Sequence, residues 1–155
     1  MSTQHDELLD PAVLVDIEHR PIDDVRSLRS RCIDVETGLS YLRRMVQAPL
    51  DIVIQEQRRR TEGGGPTDLA TLIGDLPEVL SPGTRSFGVP RLPTQLEPSS
   101  VDPELSAELD RLVGEGQLAS IVEMDDAQLE HLHGLLSAYE RRVSERRRAF
   151  HSRID

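Results

Sequence analysis

Residues 36–51 read ETGLSYLRRMVQAPLD, and residues 140–155 read ERRVSERRRAFHSRID. The same five positions recur in both stretches, in the same order and 104 residues apart. The first set is Glu36, Ser40, Arg43, Gln47 and Asp51; the second is Glu140, Ser144, Arg147, His151 and Asp155. Both follow the spacing E-x3-S-x2-R-x3-(Q/H)-x3-D. Steps of four, three, four and four are helical steps. At about 100° per residue the five side chains fall within an arc of roughly 80° on one helix face. That face presents carboxylate, hydroxyl, guanidinium, amide or imidazole, and carboxylate, in that order. A polar helix face met once is ordinarily solvated surface. The same face written twice points to a shared task.

The apolar residues around the first motif are Val25, Leu28, Cys32, Val35, Leu39, Leu42, Val46 and Val53. Their alternating steps of three and four are the heptad seam of a coiled coil. Position 49 is the next expected member and is a proline, which deletes the helical bond to the carbonyl of Met45 and kinks the chain. Leu50 is the candidate to replace it, and the kink would re-aim Asp51. The second seam is Leu129, Leu132, Leu136, Tyr139, Val143 and Phe150, with Arg146 at one inner position. Shifted by 104, these residues land on the first seam, and Arg146 lands on Leu42. Seam and motif therefore share one register, so each motif must sit beside a helix–helix interface.

A chain of 155 residues has room for one domain of ordinary size. With 3% aromatic residues, no Trp and 30% charged residues, it suits long helices with a narrow apolar seam. The expected fold is all-α, two long helices joined by a Pro/Gly-rich linker with short helices; a linker this long leaves open whether they pair within one chain or between two, and permits an antiparallel two-helix coiled coil within one. Residues 1–20, punctuated by Pro11, read as a flexible N-terminal arm. Residues 21–61 form the long helix with the first motif. It starts where proline and acids favour a helix N-terminus, near Pro21 to Asp24, and is stopped by Gly63-Gly64-Gly65-Pro66. Residues 62–124 are the linker. Within it, Thr67 and Asp68 are placed to cap a short helix through Ile73, a turn falls at 77–80, and residues 81–100 are proline-rich and extended. Asp102-Pro103-Glu104 is the cap and first turn of another short helix, which Gly114 and Gly116 end. The apolar stretch 118–124 suits docking on the coiled coil or on a partner. Residues 125–155 form the long helix with the second motif.

A formal net charge of −10 disfavours general binding of nucleic acid through a basic surface. The arginines nevertheless cluster, at 43–44, 58–60, 141–142 and 146–148, and three of these clusters lie inside or beside a motif. An acidic chain with local arginine on a motif face reads as a binder of small anions or of a particular partner. The single cysteine, Cys32, sits on the seam and fits a reduced compartment. No run is long and apolar enough for a membrane span, and residues 1–10 lack signal-peptide character, so a cytoplasmic location is expected. No metal-ligand cluster, Gly-rich phosphate loop or nucleophile elbow is present, and His131 and His133 read as solvated. An enzyme is not expected.

The motif face has a definite chemistry. Arginine's planar fork pairs with phosphate or with O6 and N7 of guanine, and its plane stacks on bases. A carboxylate accepts the N1–H and N2–H donors of guanine. The face can thus read a guanine nucleotide, although the same groups can also pair with one another. An antiparallel pair would relate the two motifs by a pseudo-twofold axis, which suits a symmetric ligand or a symmetric pair of ligands. Cyclic di-GMP has the guanines, phosphates and symmetry, but residue chemistry alone does not single it out from other anions.

On these residues the chain resembles the RsiG family, the cyclic-di-GMP-responsive anti-sigma factors of spore-forming actinobacteria. The pattern is complete at Glu36, Ser40, Arg43, Gln47 and Asp51, in the run Leu39-Ser40-Tyr41-Leu42-Arg43-Arg44. It returns at Glu140, Ser144, Arg147 and Asp155, with His151 in place of glutamine. The resemblance covers both helices, about half of the chain. It implies a transcription regulator whose ten motif residues hold the second messenger cyclic di-GMP as a dimer. So loaded, it sequesters a flagellar or sporulation-type sigma factor of the WhiG kind. Two-motif members look like monomeric antiparallel coiled coils; members with one functional motif form homodimers. No metal, no direct nucleic-acid contact and no membrane is expected. Two departures stand out: the imidazole of His151 cannot copy both roles of an amide, and Pro49 stands where an ordinary helix residue is expected. The alternative is a structural or adaptor coiled coil without a nucleotide, its motif charges forming surface pairs worth only ~0–1 kcal/mol each.

Overall fold

The computed structural model describes residues 4–63 and 100–155. The short helix expected from Thr67, the turn at 77–80 and all but the last residue of the proline-rich stretch lie outside the described residues. Among the described residues there is no strand. The helices are α1 (Gln4–Leu9), α2 (Ile22–Thr61), α3 (Pro103–Val113), α4 (Glu115–Ala119) and α5 (Asp126–Ile154), with 3-10 turns at Pro11–Leu14 and Ile17–His19.

Local chemistry sets each helix end. Pro21 precedes α2, Asp23 and Asp24 occupy its first turn and three arginines its last, all favourable to the helix dipole. Past the C-cap Glu62, the chain turns at Gly63 with a left-handed φ of 76°. In α5, Asp125 accepts from the backbone of Gln128 while the Gln128 side chain accepts from the Asp125 backbone, a full capping box. The Asp102 carboxylate caps α3 by accepting from the backbone N–H of Glu104 and Leu105.

The long helix α2 packs against α5. Its 40 residues span about 60 Å at 1.5 Å per residue. The buried residues between the two helices include Cys32, Val35, Leu39, Leu42, Val46 and Val53 from α2, and Leu129, Leu132, Leu136, Tyr139, Val143 and Phe150 from α5. Val25 and Leu28, at the end of the seam, are only half-buried. Burial also pushes the Cys32 thiol above its ordinary range. The contacts between the helices run in opposite chain order. Arg60 meets Asp126 at 2.9 Å, Arg43 meets Glu140 at 3.0 Å, and Arg29 donates to the carbonyl of Ile154 at 3.2 Å.

Pro49 does not hand its place to Leu50. It is itself buried in the seam while Leu50 is half-buried, and α2 continues without interruption to Thr61. A proline ring is compact and apolar, so it fills an inner position even though its missing N–H leaves one helical bond unmade.

The seam steps on past Val53 to Glu56, which is fully buried. Two guanidiniums one helical turn further on hold its charge, Arg59 at 2.7 Å and Arg60 at 2.6 Å. Their hydrogen bonds, that of Arg59 first, hold the Glu56 carboxyl below its ordinary value of 4.5 against the opposing effect of burial. Arg60 also donates to the carbonyl of Ile121, tying the end of α2 to the turn before α5. Ile121 is fully buried, with Leu118 and Met124 packed on the core, so the apolar stretch 118–124 docks on the helix pair.

Of the segment expected as a loose arm, residues 1–20, the part from Gln4 to Asp10 rests on the helices, while the 3-10 turns that follow are mostly exposed. Leu8 is buried, Asp6 pairs with Arg146 at 2.7 Å, and His5 meets the Phe150 ring edge-on at 6.2 Å. Arg153 adds hydrogen bonds to the carbonyls of Leu9 and Asp10. The physical reason is Arg146. It occupies a seam position where the other helix has Leu42, and its charge is met by Asp6 and, at 3.9 Å, by Asp102.

One flank of the seam carries α3. Tyr139 donates to the carbonyl of Leu105 at 2.9 Å, and Arg142 pairs with Glu108 at 2.6 Å. Beside it the backbone of Ser100 and Val101 crosses Gly38, so closely that a Cβ there would lie 2.5 Å from the Ser100 oxygen. Gly38 and Arg142 each precede a seam residue by one position. The motif residues Ser40, Arg43, Glu140 and Ser144 each follow one, so they occupy the opposite flank.

Gly38→Ala forces backbone against backbone and should cost about 1–3 kcal/mol by overpacking. At Gly134 in α5 an added Cβ meets nothing within 4 Å, so Gly134→Ala should add about 0.8–1 kcal/mol through helix propensity. Urea unfolding midpoints of the two variants test this, and a neutral Gly38→Ala would remove the close approach. Glu56→Gln should cost about 1.5–3 kcal/mol near neutral pH, because the hydrogen bonds of Arg59 and Arg60 lose the charge of their buried acceptor. The folded-state value of Glu56 is lowered, so its stabilisation is complete above pH 4.5 and is lost as pH falls through that lowered value. The gap between parent and Glu56→Gln should accordingly narrow in acid; a constant gap down to pH 2 would mean the charge is not what Glu56 contributes.

Candidate functional site

Each motif begins with a glutamate and a serine four residues apart, one above the other on the helix face. In the first motif Ser40 Oγ donates to Glu36 Oε1 at 2.8 Å; in the second Ser144 Oγ donates to Glu140 Oε1 at 2.7 Å. The arginines do not join the pair on their own helix. Arg147 of α5 crosses to α2, where its Nε donates to Glu36 Oε1 at 2.9 Å and to Ser40 Oγ at 3.0 Å. Arg43 of α2 crosses to α5, where its Nε donates to Glu140 Oε1 and to Ser144 Oγ, both at 3.0 Å. The two motifs exchange arginines and build two matching clusters.

Every group in a cluster has a definite role. The serine hydroxyl donates to the carboxylate and accepts from the guanidinium, using both of its capacities. Hydrogen bonding by Ser144 first, then by Arg43, holds the Glu140 carboxyl below its ordinary value, opposed by burial. Each arginine is bound only through Nε. Among the described residues the two terminal nitrogens of Arg43 and of Arg147 have no hydrogen-bond partner. Their side chains are 39% and 34% exposed, so these nitrogens are within reach of a ligand. A guanidinium gripped at Nε has a fixed plane, and its outer edge is the two-pronged donor that carboxylates, phosphates and guanine accept.

The remaining motif residues do not enter the clusters. Gln47 and Asp51 are half-buried on α2 and make no side-chain hydrogen bond among the described residues. His151 and Asp155 are exposed at the end of α5, where Nε2 of His151 lies 3.9 Å from Asp155. The structure therefore gathers six of the ten predicted site residues and leaves four along the same face on either side.

Sequence reasoning missed Glu56 with its two arginines, and Asp6 and Asp102 around Arg146. A signal was present for each. Glu56 falls on the continued seam step with arginines three and four residues later, and Arg146 breaks the second seam where the first has leucine. Among the described residues no group of His, Cys, Asp and Glu is placed to hold a metal, and no helix is long and apolar enough to cross a membrane.

No curated protein matches the chain. Residues 12–80 match the model of a family described as RsiG-like. The matched segment holds the first motif whole, so the arginine that reaches α5 and the glutamate and serine that receive Arg147 all lie inside it. That match makes the segment carrying the first motif RsiG-like, which supports membership of the RsiG family and suggests a role of the anti-sigma-factor type with a sigma factor as the general class of partner.

Proposed function

We propose that this protein is an anti-sigma factor gated by cyclic di-GMP. The two long helices form an antiparallel coiled coil, and the nucleotide, as a dimer, docks on the flank carrying both motifs. The loaded protein sequesters a flagellar or sporulation-type sigma factor of the WhiG kind in the cytoplasm, by binding and without catalysis. One observation carries this reading: two guanidiniums, each anchored at Nε, present on one flank donor edges that have no partner among the described residues. Arg43 is held by Glu140 and Ser144 alike, and Arg147 lies seven and three residues beyond them, so the two edges are spaced by roughly 5–10 Å along the axis. Asp51 and Asp155, further out, supply carboxylates for the N1–H and N2–H donors of guanine.

A second reading draws on the same geometry. Glu, Ser and Arg of the two motifs satisfy one another without any ligand, as the charges of a structural coiled coil would. Thermal melting separates the two, because a ligand that binds the folded state raises the transition with concentration. A structural coiled coil is indifferent to the nucleotide.

Calorimetric titration should show binding of cyclic di-GMP in preference to cyclic di-AMP and GMP. Arg43→Ala and Arg147→Ala should each weaken it by about 1.5–3 kcal/mol, the worth of a charge-assisted contact. Both variants should keep their helical circular dichroism. Equal binding of the adenine analogue would remove the guanine-reading claim. Co-purification with a flagellar-type sigma factor should require the nucleotide, since a ligand bridging both helices removes ordering cost the partner otherwise meets. Equal recovery with and without it would leave an anti-sigma factor with no switch.

A further inference from the structure

We infer that Glu36, Ser40, Glu140 and Ser144 are positioning residues that act across the helix pair, each pair aiming the arginine of the other motif. This inference rests on reading the motif flank as the nucleotide site, and it changes what the motif means. Read along one helix, E-x3-S-x2-R-x3-(Q/H)-x3-D is a row of five ligand contacts. In the folded protein the first two residues of each row are occupied with the third residue of the other. Glu36 Oε1 accepts from Ser40 and from Arg147, and Glu140 Oε1 accepts from Ser144 and from Arg43.

The consequence is cross-wiring. Arg147 belongs to the copy in which His151 replaces glutamine, yet the residues that orient it belong to the complete first copy. Arg43 belongs to the complete copy and depends on Glu140 and Ser144. Each half of the site therefore requires both helices, and neither motif is functional alone within this chain. Nε anchoring also accounts for arginine at this position. Lysine has a single donor head, so it cannot hold a carboxylate and a hydroxyl at one nitrogen while offering a separate planar edge to a ligand. The carboxylate and the guanidinium neutralise each other in place, so the ligand meets oriented donors and no bare negative charge.

A double-mutant cycle with cyclic di-GMP as the probe tests the assignment. Glu36→Ala should weaken binding about tenfold, equivalent to 1.4 kcal/mol, in the parent and in an Arg43→Lys background. In an Arg147→Lys background the same change should cost less than about twofold, because the arginine that Glu36 aims is already gone. Glu36→Gln, which keeps an acceptor for Nε, should restore part of the loss. A full tenfold loss in the Arg147→Lys background would make Glu36 a ligand contact and overturn the inference. So would a loss that vanishes in the Arg43→Lys background. A readout without nucleotide stands beside it: the Nε–H resonance of Arg147 should be protected from exchange in the parent and in Glu140→Ala, and lose protection in Glu36→Ala and Ser40→Ala. If it is indifferent to Glu36, the clamp does not exist, whatever binds. If it responds and cyclic di-GMP still does not bind, the clamp stands and the nucleotide reading fails.

Discussion

The helix pair depends on an apolar seam buried between α2 and α5. Leu39, Leu42, Val46 and Val53 on one side and Leu136, Tyr139 and Val143 on the other are removed from water almost completely. At about 25 cal/mol per Å² of apolar area, burial on this scale is the principal force favouring association of the two helices. The seam also fixes their rotation. Each motif residue from Glu to Gln or His follows a seam residue by one position, so once the seam is buried both motifs must emerge on the same flank. The polar clusters need no separate mechanism to find one another.

Charge placed inside that seam works differently. Glu56 and Arg146 occupy inner positions where an apolar residue would pack, and each is matched by opposite charge from a neighbouring turn or segment. The pair at Glu56 is buried, and a buried ion pair seldom adds stability over apolar packing although removing one partner is costly, while Arg146 and Asp6 stay partly exposed. The effect of both charges here is on arrangement. Arg60, gathered by Glu56, reaches the turn before α5, and Arg146 draws α1 onto the helix pair through Asp6. Each charge secures an element that the apolar seam alone would leave undirected.

The two flanks of the seam have been given opposite characters. On one, Gly38 removes a side chain so that the chain around Ser100 can cross closely, and α3 anchors through Tyr139 and Arg142. That flank is thereby committed to the protein's own chain around Ser100 and to α3. The other flank keeps Arg43 and Arg147 half-exposed beside their glutamates and serines. A face of this kind is held where it is anchored and open where it is not, which would lower the ordering cost of a ligand docking there as proposed.

The amino-acid sequence by itself determined the two long helices, α3, the seam and the motif register, because these are local properties, whereas α1 and the short α4, which runs through Gly116, were not read from it. A period of three and four, a capping aspartate such as Asp102 or Asp125, and a stop at Gly63 act between residues within one or two turns. The same locality explains what was not legible. Pro49 breaks a local rule and is accommodated because the seam has room for its ring. The order along α1 follows from Arg146, 140 positions away from Asp6. Most plainly, the motif read as one face presenting five groups outward, while the tertiary structure turned its first two inward onto the other helix's arginine. Periodicity records which face a residue occupies, but not what stands opposite. That is decided only when two helices pack, since a hydrogen bond of 3 Å between residues about a hundred positions apart is a property of their relative placement and of nothing nearer in the chain.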